Sequence, residues 1–96
     1  MIHSTQITLA SNWVGATDGT SFTQSFPING LTDESKVFFD GIIYNLSGDS
    51  DKKTAKKNID KAASYLYQLE TSKNNITFFA YQRPETIFTV QVSYIL

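Results

Sequence analysis

DKKTAKKNIDKAASYLYQLE, residues 51–70, reads as the one clear helix of this chain. Ala55, Ile59, Ala62, Ala63, Leu66 and Leu69 recur at three- and four-residue spacing, which lines them along one face of a helix. Lys52, Lys53, Lys56, Lys57 and Lys61 fill the remaining positions. The spacing predicts a helix from Asp51 to Glu70, with Ser50 or Asp49 as its N-cap and acidic residues that suit the helix dipole. An alanine-rich stripe of this kind lets a helix lie close against one face or end of a sheet.

The chain on either side reads as strands. Thr5 to Ala10 alternates, with Ile7 and Leu9 on one face. The sole tryptophan, Trp13, follows, and then a polar run from Gly15 to Thr20. Thr20 to Ile28 sets Phe22, Phe26 and Ile28 against Thr23, Ser25 and Pro27, and the turn residues Asn29-Gly30 come next. Val37 to Leu46 is apolar on both faces: Phe38, Ile42, Tyr44 and Leu46 on one, Val37, Phe39 and Ile43 on the other. Such a strand is expected at the centre of a sheet. Asp40 interrupts it, and Gly41 is a candidate bulge. After the helix, Lys73-Asn74-Asn75 breaks the pattern. A hairpin is then expected from Asn75–Gln82 and Thr86–Leu96, turning at Arg83-Pro84-Glu85. In the last strand Thr89, Gln91 and Ser93 form a solvent side. The fold class is therefore α+β: mainly antiparallel β, about five strands, sandwich-like, with one helix between strands 3 and 4. Residues 1–96 are read as a single domain.

Composition narrows the function. With 41% hydrophobic and 18% charged residues, the chain suits a soluble globular domain. Its net charge of −1 gives no overall pull toward nucleic acid or anionic membrane. There is no cysteine, so disulfides, zinc thiolates and cysteine nucleophiles are excluded. No apolar run suggests a membrane span, and the opening residues lack the pattern of a secretory signal; synthesis in the cytoplasm is expected.

Residues that could carry chemistry are sparse. The single histidine, His3, lies near the start and reads as a surface residue. No nucleophile elbow, zinc-binding helix motif, phosphate loop or dinucleotide fingerprint is present, so no catalytic residue and no cofactor is assigned. Asp49 and Asp51 make only a fragment of a calcium loop, better read as a helix cap, and no metal is assigned. The lysines Lys52, Lys53, Lys56, Lys57 and Lys61 form a candidate interaction surface. Interleaved aspartates and the lack of alternating aromatics argue against nucleic acid as its partner and favour either solubility or docking on an acidic protein surface. Trp13, Tyr67 and Tyr81, with Tyr65, are the aromatics least securely placed in a core. Trp13, Tyr67 and Tyr81 are the candidate rings for stacking on a glycan, although Trp13 reads better as a plug at the end of the domain.

A resemblance adds context. Thr8-Leu9-Ala10 and Trp13 open the chain, Gln24 and Phe26 lead to Gly30-Leu31-Thr32, and Val37 and Asp40 follow. It closes with Ile76-Thr77-Phe78-Phe79-Ala80, Pro84 and Val90-Gln91-Val92. In this order the chain resembles a small structural domain of tail-fibre, baseplate or head-fibre proteins of bacteriophages and prophages of Gram-positive bacteria. The resemblance implies a virion or virion-assembly role, symmetric self-association or contact with other virion proteins, and location in the virion once assembled. It supplies no catalytic residue. Three functions follow as expectations: a virion structural or adhesion module that meets a host-wall glycan, a small phage-encoded inhibitor of a host defence protein, or a carbohydrate-binding module without viral context.

Overall fold

Backbone pairing sorts the strands into two antiparallel sheets. The computed structural model describes residues 2–16, 21–46 and 50–96. In chain order the elements are β1 Ile2–Leu9, β2 Val14–Gly15, β3 Phe22–Pro27, β4 Lys36–Ile43, α1 Lys52–Ala63, β5 Leu66–Ser72, β6 Asn75–Ala80 and β7 Phe88–Ile95. One sheet has the order β1-β7-β4 and the other β2-β3-β6-β5. The fold is mainly antiparallel β, as expected, but with seven strands among the described residues, and the helix lies between β4 and β5. Of the polar run after Trp13, residues 17–20 lie outside the described residues, as do 47–49, which include the proposed cap Asp49.

Alternation explains the core. In β7, Phe88, Val90 and Val92 are buried, and β1 brings Leu9 and Ile7 opposite Phe88 and Val90. From the second sheet Ile76, Phe78 and Ala80 of β6 join the same cluster, with Ile59 and Ala62 of α1. Phe26 meets Phe78 edge to face, 5.8 Å between ring centres. Burying each large aliphatic or aromatic side chain contributes about 1.5–3 kcal/mol. The outward side of β7 is polar, as read from the sequence: Thr89 bonds Thr8 across the strands (3.0 Å) and Ser93 bonds Ser4 (3.2 Å).

Two bulges account for the main departures from the sequence reading. The first concerns the helix, which stops at Ala63. Residues 66–72 form β5 instead, paired with β6. Its register shifts between Leu66 and Gln68, so Tyr67 is the extra residue. Leu66 and Leu69 consequently reach the same side of the sheet, opposite Ala80 and Phe78, although three residues separate them. A bulged strand thus imitates helical spacing. The second bulge lies in β4 between Phe39 and Gly41, where Gly41 has φ +146°, a conformation that favours glycine. It puts Val37, Phe39 and Ile42 on the side of Tyr94, Val92 and Val90, and leaves Phe38 and Ile43 on the other. Phe38 is 49% exposed, so it is not a core residue as the alternation implied. Nor is β4 central. It is an edge strand, because β7 takes the middle position by pairing with both β1 and β4.

The expected C-terminal hairpin is also corrected. β6 and β7 belong to different sheets, and residues 81–87 cross between them with Pro84 fully buried. The true hairpin joins β5 to β6 through Lys73-Asn74, with Asn74 at φ +60°. Asn74 docks this turn on the loop after β3: its side-chain oxygen accepts from Gly30 N–H (2.9 Å), and its own N–H donates to Leu31 C=O (2.8 Å).

Candidate ligand-binding surface

The end of α1 and the start of β5 bring three tyrosines together. Tyr65 N–H donates to the Ala62 carbonyl (3.2 Å) as the helix closes. Tyr81 N–H then donates to the Tyr65 carbonyl (3.1 Å), extending the β5–β6 ladder by one step. The Tyr81 hydroxyl donates to the Ser64 carbonyl (3.3 Å), so the ring is tied at both ends. Tyr65 and Tyr81 pack edge to face, 5.6 Å apart at 75°. The bulge adds Tyr67, whose ring lies 6.5 Å from Tyr81 and 6.1 Å from Phe79. Four rings therefore run side by side. Tyr67 and Tyr81 are each 51% exposed, large apolar areas for a water-facing surface.

Beside this shelf opens a half-enclosed cleft of about 380 Å³. Asn58 and Lys61 of α1 form one wall, Tyr65 and Tyr81 another, and Gln82 and Arg83 of the crossing segment a third. Arg83 holds its guanidinium over the Phe22 ring, 5.1 Å from the centroid. Cation–π contact of this kind positions the group while its N–H edges stay available.

The sequence candidates fall as follows. Trp13 is 3% exposed and part of the core cluster, so its ring presents no face to a ligand. That corrects its inclusion among stacking candidates and agrees with the plug reading. Tyr67 and Tyr81, fourteen positions apart, come together. The five lysines are all exposed, but they are not equivalent. Lys56 bridges Asp60 (3.0 Å) and sits 4.9 Å from the Tyr44 ring centre, while Tyr44 donates its hydroxyl to the same carboxylate. Lys61 faces the cleft instead. The helix cap is Asp51, which accepts from Thr54 N–H (3.0 Å) and Thr54 hydroxyl (2.7 Å), in place of Ser50 or Asp49. His3 stacks on Tyr94, with 5.3 Å between centres. Among the described residues no three His, Asp or Glu groups gather as a metal site, and no helix is long and apolar enough to cross a membrane.

The Tyr44–Asp60–Lys56 strap ties the residues after β4 to α1 and has a pH signature. The hydrogen bond from Tyr44, then that from Lys56, holds the Asp60 carboxyl below the usual range. A depressed folded pKa means that its contribution to stability is present above the unfolded value, about 3.9. That contribution is lost as pH falls through the folded pKa. Tyr44→Phe is expected to move the Asp60 midpoint upward. Asp51, lowered by its own bonds from Thr54, should not move. Carboxyl-carbon NMR titration reads both, and an unmoved Asp60 would mean that the tyrosine does not govern it.

Asn58, Gln82, Arg83 and Glu85 were not singled out from the sequence. They carry no periodic signal, because only the β6–β7 crossing brings residues 82–86 against α1. Set against protein-family models, curated proteins and solved structures, the chain matches none of them.

Proposed function

We propose that this protein is a non-enzymatic adhesion module of a bacteriophage virion that meets a host-wall glycan through Tyr65, Tyr67 and Tyr81. The observation that supports the binding reading is the exposed row of rings beside a cleft lined with amides and cations. A sugar offers C–H faces to rings and hydroxyls to amides, and such a combination of a flat apolar surface with a few directed polar groups suits it. The phage context rests on the resemblance in sequence. Self-association belongs to the same reading: β4 is an open sheet edge carrying the exposed Phe38 and Phe39, and such edges are ordinarily paired or covered.

Calorimetric titration with host-wall polysaccharide tests the binding role. Wild type should bind, and Tyr81→Ala or Tyr67→Ala should each weaken binding about two- to tenfold, the range for loss of one ring contact. Because Trp13 is buried in the core and does not line the cleft, its emission serves as a folding control for each variant. Light scattering should give a symmetric oligomer. Unchanged affinity in both variants would refute the role of the rings.

The lysines favour a second reading. Lys52, Lys53 and Lys57 are exposed on α1, and a small inhibitor could present them to an acidic host protein. A strict monomer with no polysaccharide affinity would turn the argument to that alternative.

A further inference from the structure

The geometry points to an acidic saccharide as the ligand of the cleft between α1 and the β6–β7 crossing, a refinement that rests on the adhesion reading. Two cations line it from different elements, Lys61 from the last turn of α1 and Arg83 from the crossing segment. Neither forms an ion pair among the described residues, where the bridge is Lys56–Asp60. The carboxylate next to Lys61 in sequence, that of Asp60, is already engaged by Lys56 and Tyr44. One carboxylate, Glu85, also lines the cleft. The lining therefore carries two positive charges against one negative.

The remaining lining selects the ligand class. Asn58 and Gln82 can each donate and accept hydrogen bonds, which matches the hydroxyls of a sugar. Tyr65 and Tyr81 meet at 75°, so they do not form the parallel pair that would sandwich a flat base. A pyranose instead rests one face on one ring. The volume, about 380 Å³, lies in the range of small-molecule sites. A carboxylate or phosphate on such a sugar would be taken up by Lys61 and by the guanidinium that Phe22 holds in place. Glu85 at the same cleft accepts from a hydroxyl and disfavours an anion placed next to it.

The full chain is titrated with acidic wall polysaccharides and with the same polymers after carboxyl reduction or dephosphorylation. The acidic forms should bind about tenfold more tightly, with affinity falling as salt rises. Lys61→Gln and Arg83→Gln should each remove about that factor, the loss expected for one charge-assisted hydrogen bond. Glu85→Gln should strengthen binding. Lys73→Gln, at the far turn between β5 and β6, should leave it unchanged. Equal affinity for the neutral polymers, with Tyr81→Ala still weakening both, would overturn acid selection while the adhesion reading stands. No affinity for any polymer would overturn both. If Lys73→Gln weakened binding as much as Lys61→Gln, attraction would be diffuse and the cleft would not be the site.

Discussion

Trp13→Ala lowers the unfolding free energy by about 3–5 kcal/mol, the range for deleting a large buried aromatic ring. The ring is 3% exposed and lies where the chain leaves β1 for β2, that is, where it passes from one sheet to the other. The core cluster it belongs to includes Leu9, Phe78 and Phe88, drawn from both sheets. Removing it opens a void at the junction, and the lining can collapse only by dragging the sheets together. A domain of this size has about 5–15 kcal/mol of stability in total, so the loss approaches the whole of a modest margin. Trp13 Nε1 has no hydrogen-bond partner among the described residues, so the ring acts through apolar area rather than polar bonding. Trp13→Phe, which keeps most of that area, should therefore cost clearly less than the alanine variant. Urea unfolding of the three proteins, followed by far-UV dichroism, checks the order. Equal stability of wild type and Trp13→Ala would refute the plug.

Gln24→Leu is expected to cost about 2–4 kcal/mol, through a different mechanism. Gln24 is the one buried polar side chain among the described residues, 6% exposed on the inward face of β3. Its carbonyl accepts from Ala10 N–H (2.9 Å) and its amide donates to Ala10 C=O (3.0 Å). A side chain of one sheet thus replaces a backbone ladder for Ala10, the residue that follows β1 of the other. Leucine fills the space but leaves both part-buried Ala10 groups unpaired, where a fully buried unmet group would cost about 1–3 kcal/mol. Gln24→Glu separates bonding from packing. A protonated glutamic acid can still accept from Ala10 N–H and donate to its carbonyl, whereas the carboxylate can only accept. Burial raises the pKa of such a group above its unfolded value, about 4.3. The variant should therefore approach wild-type stability below that pH and lose it as pH rises through the folded pKa. A pH series of thermal melts reads the pattern. A flat profile parallel to wild type would show that Gln24 contributes only packing.

These two residues also mark what could be read in advance. Trp13 was legible as a plug, because it follows Ile7 and Leu9 at the end of an alternating strand. Gln24 sat in register with Phe22 and Phe26 on an inward face, a polar residue in an apolar row. Nothing local named its partner, which lies fourteen positions earlier. The first half of the helix was legible too, from Ala55, Ile59, Ala62 and Ala63. Its second half was not, because the bulge at Tyr67 gives Leu66 and Leu69 the spacing of a helix on the face of a strand. Phe38 was misplaced for the same reason, since the bulge at Asp40 reverses the phase of β4.

By itself, then, the sequence determined the mainly antiparallel β character, the existence of one amphipathic helix, and most of the residues that fill the core. Alternation and helical spacing are local properties, set by which side of the backbone each side chain leaves. Tertiary structure decided which strands pair, that β7 rather than β4 is central, and that β6 and β7 part into separate sheets. It also decided the candidate site. Tyr81 and Arg83 share a cleft with Tyr65 and Lys61 because Pro84 buries itself in the crossing and the β5–β6 ladder sets the register. Both depend on contacts between residues distant in sequence, and no periodicity within either segment encodes them.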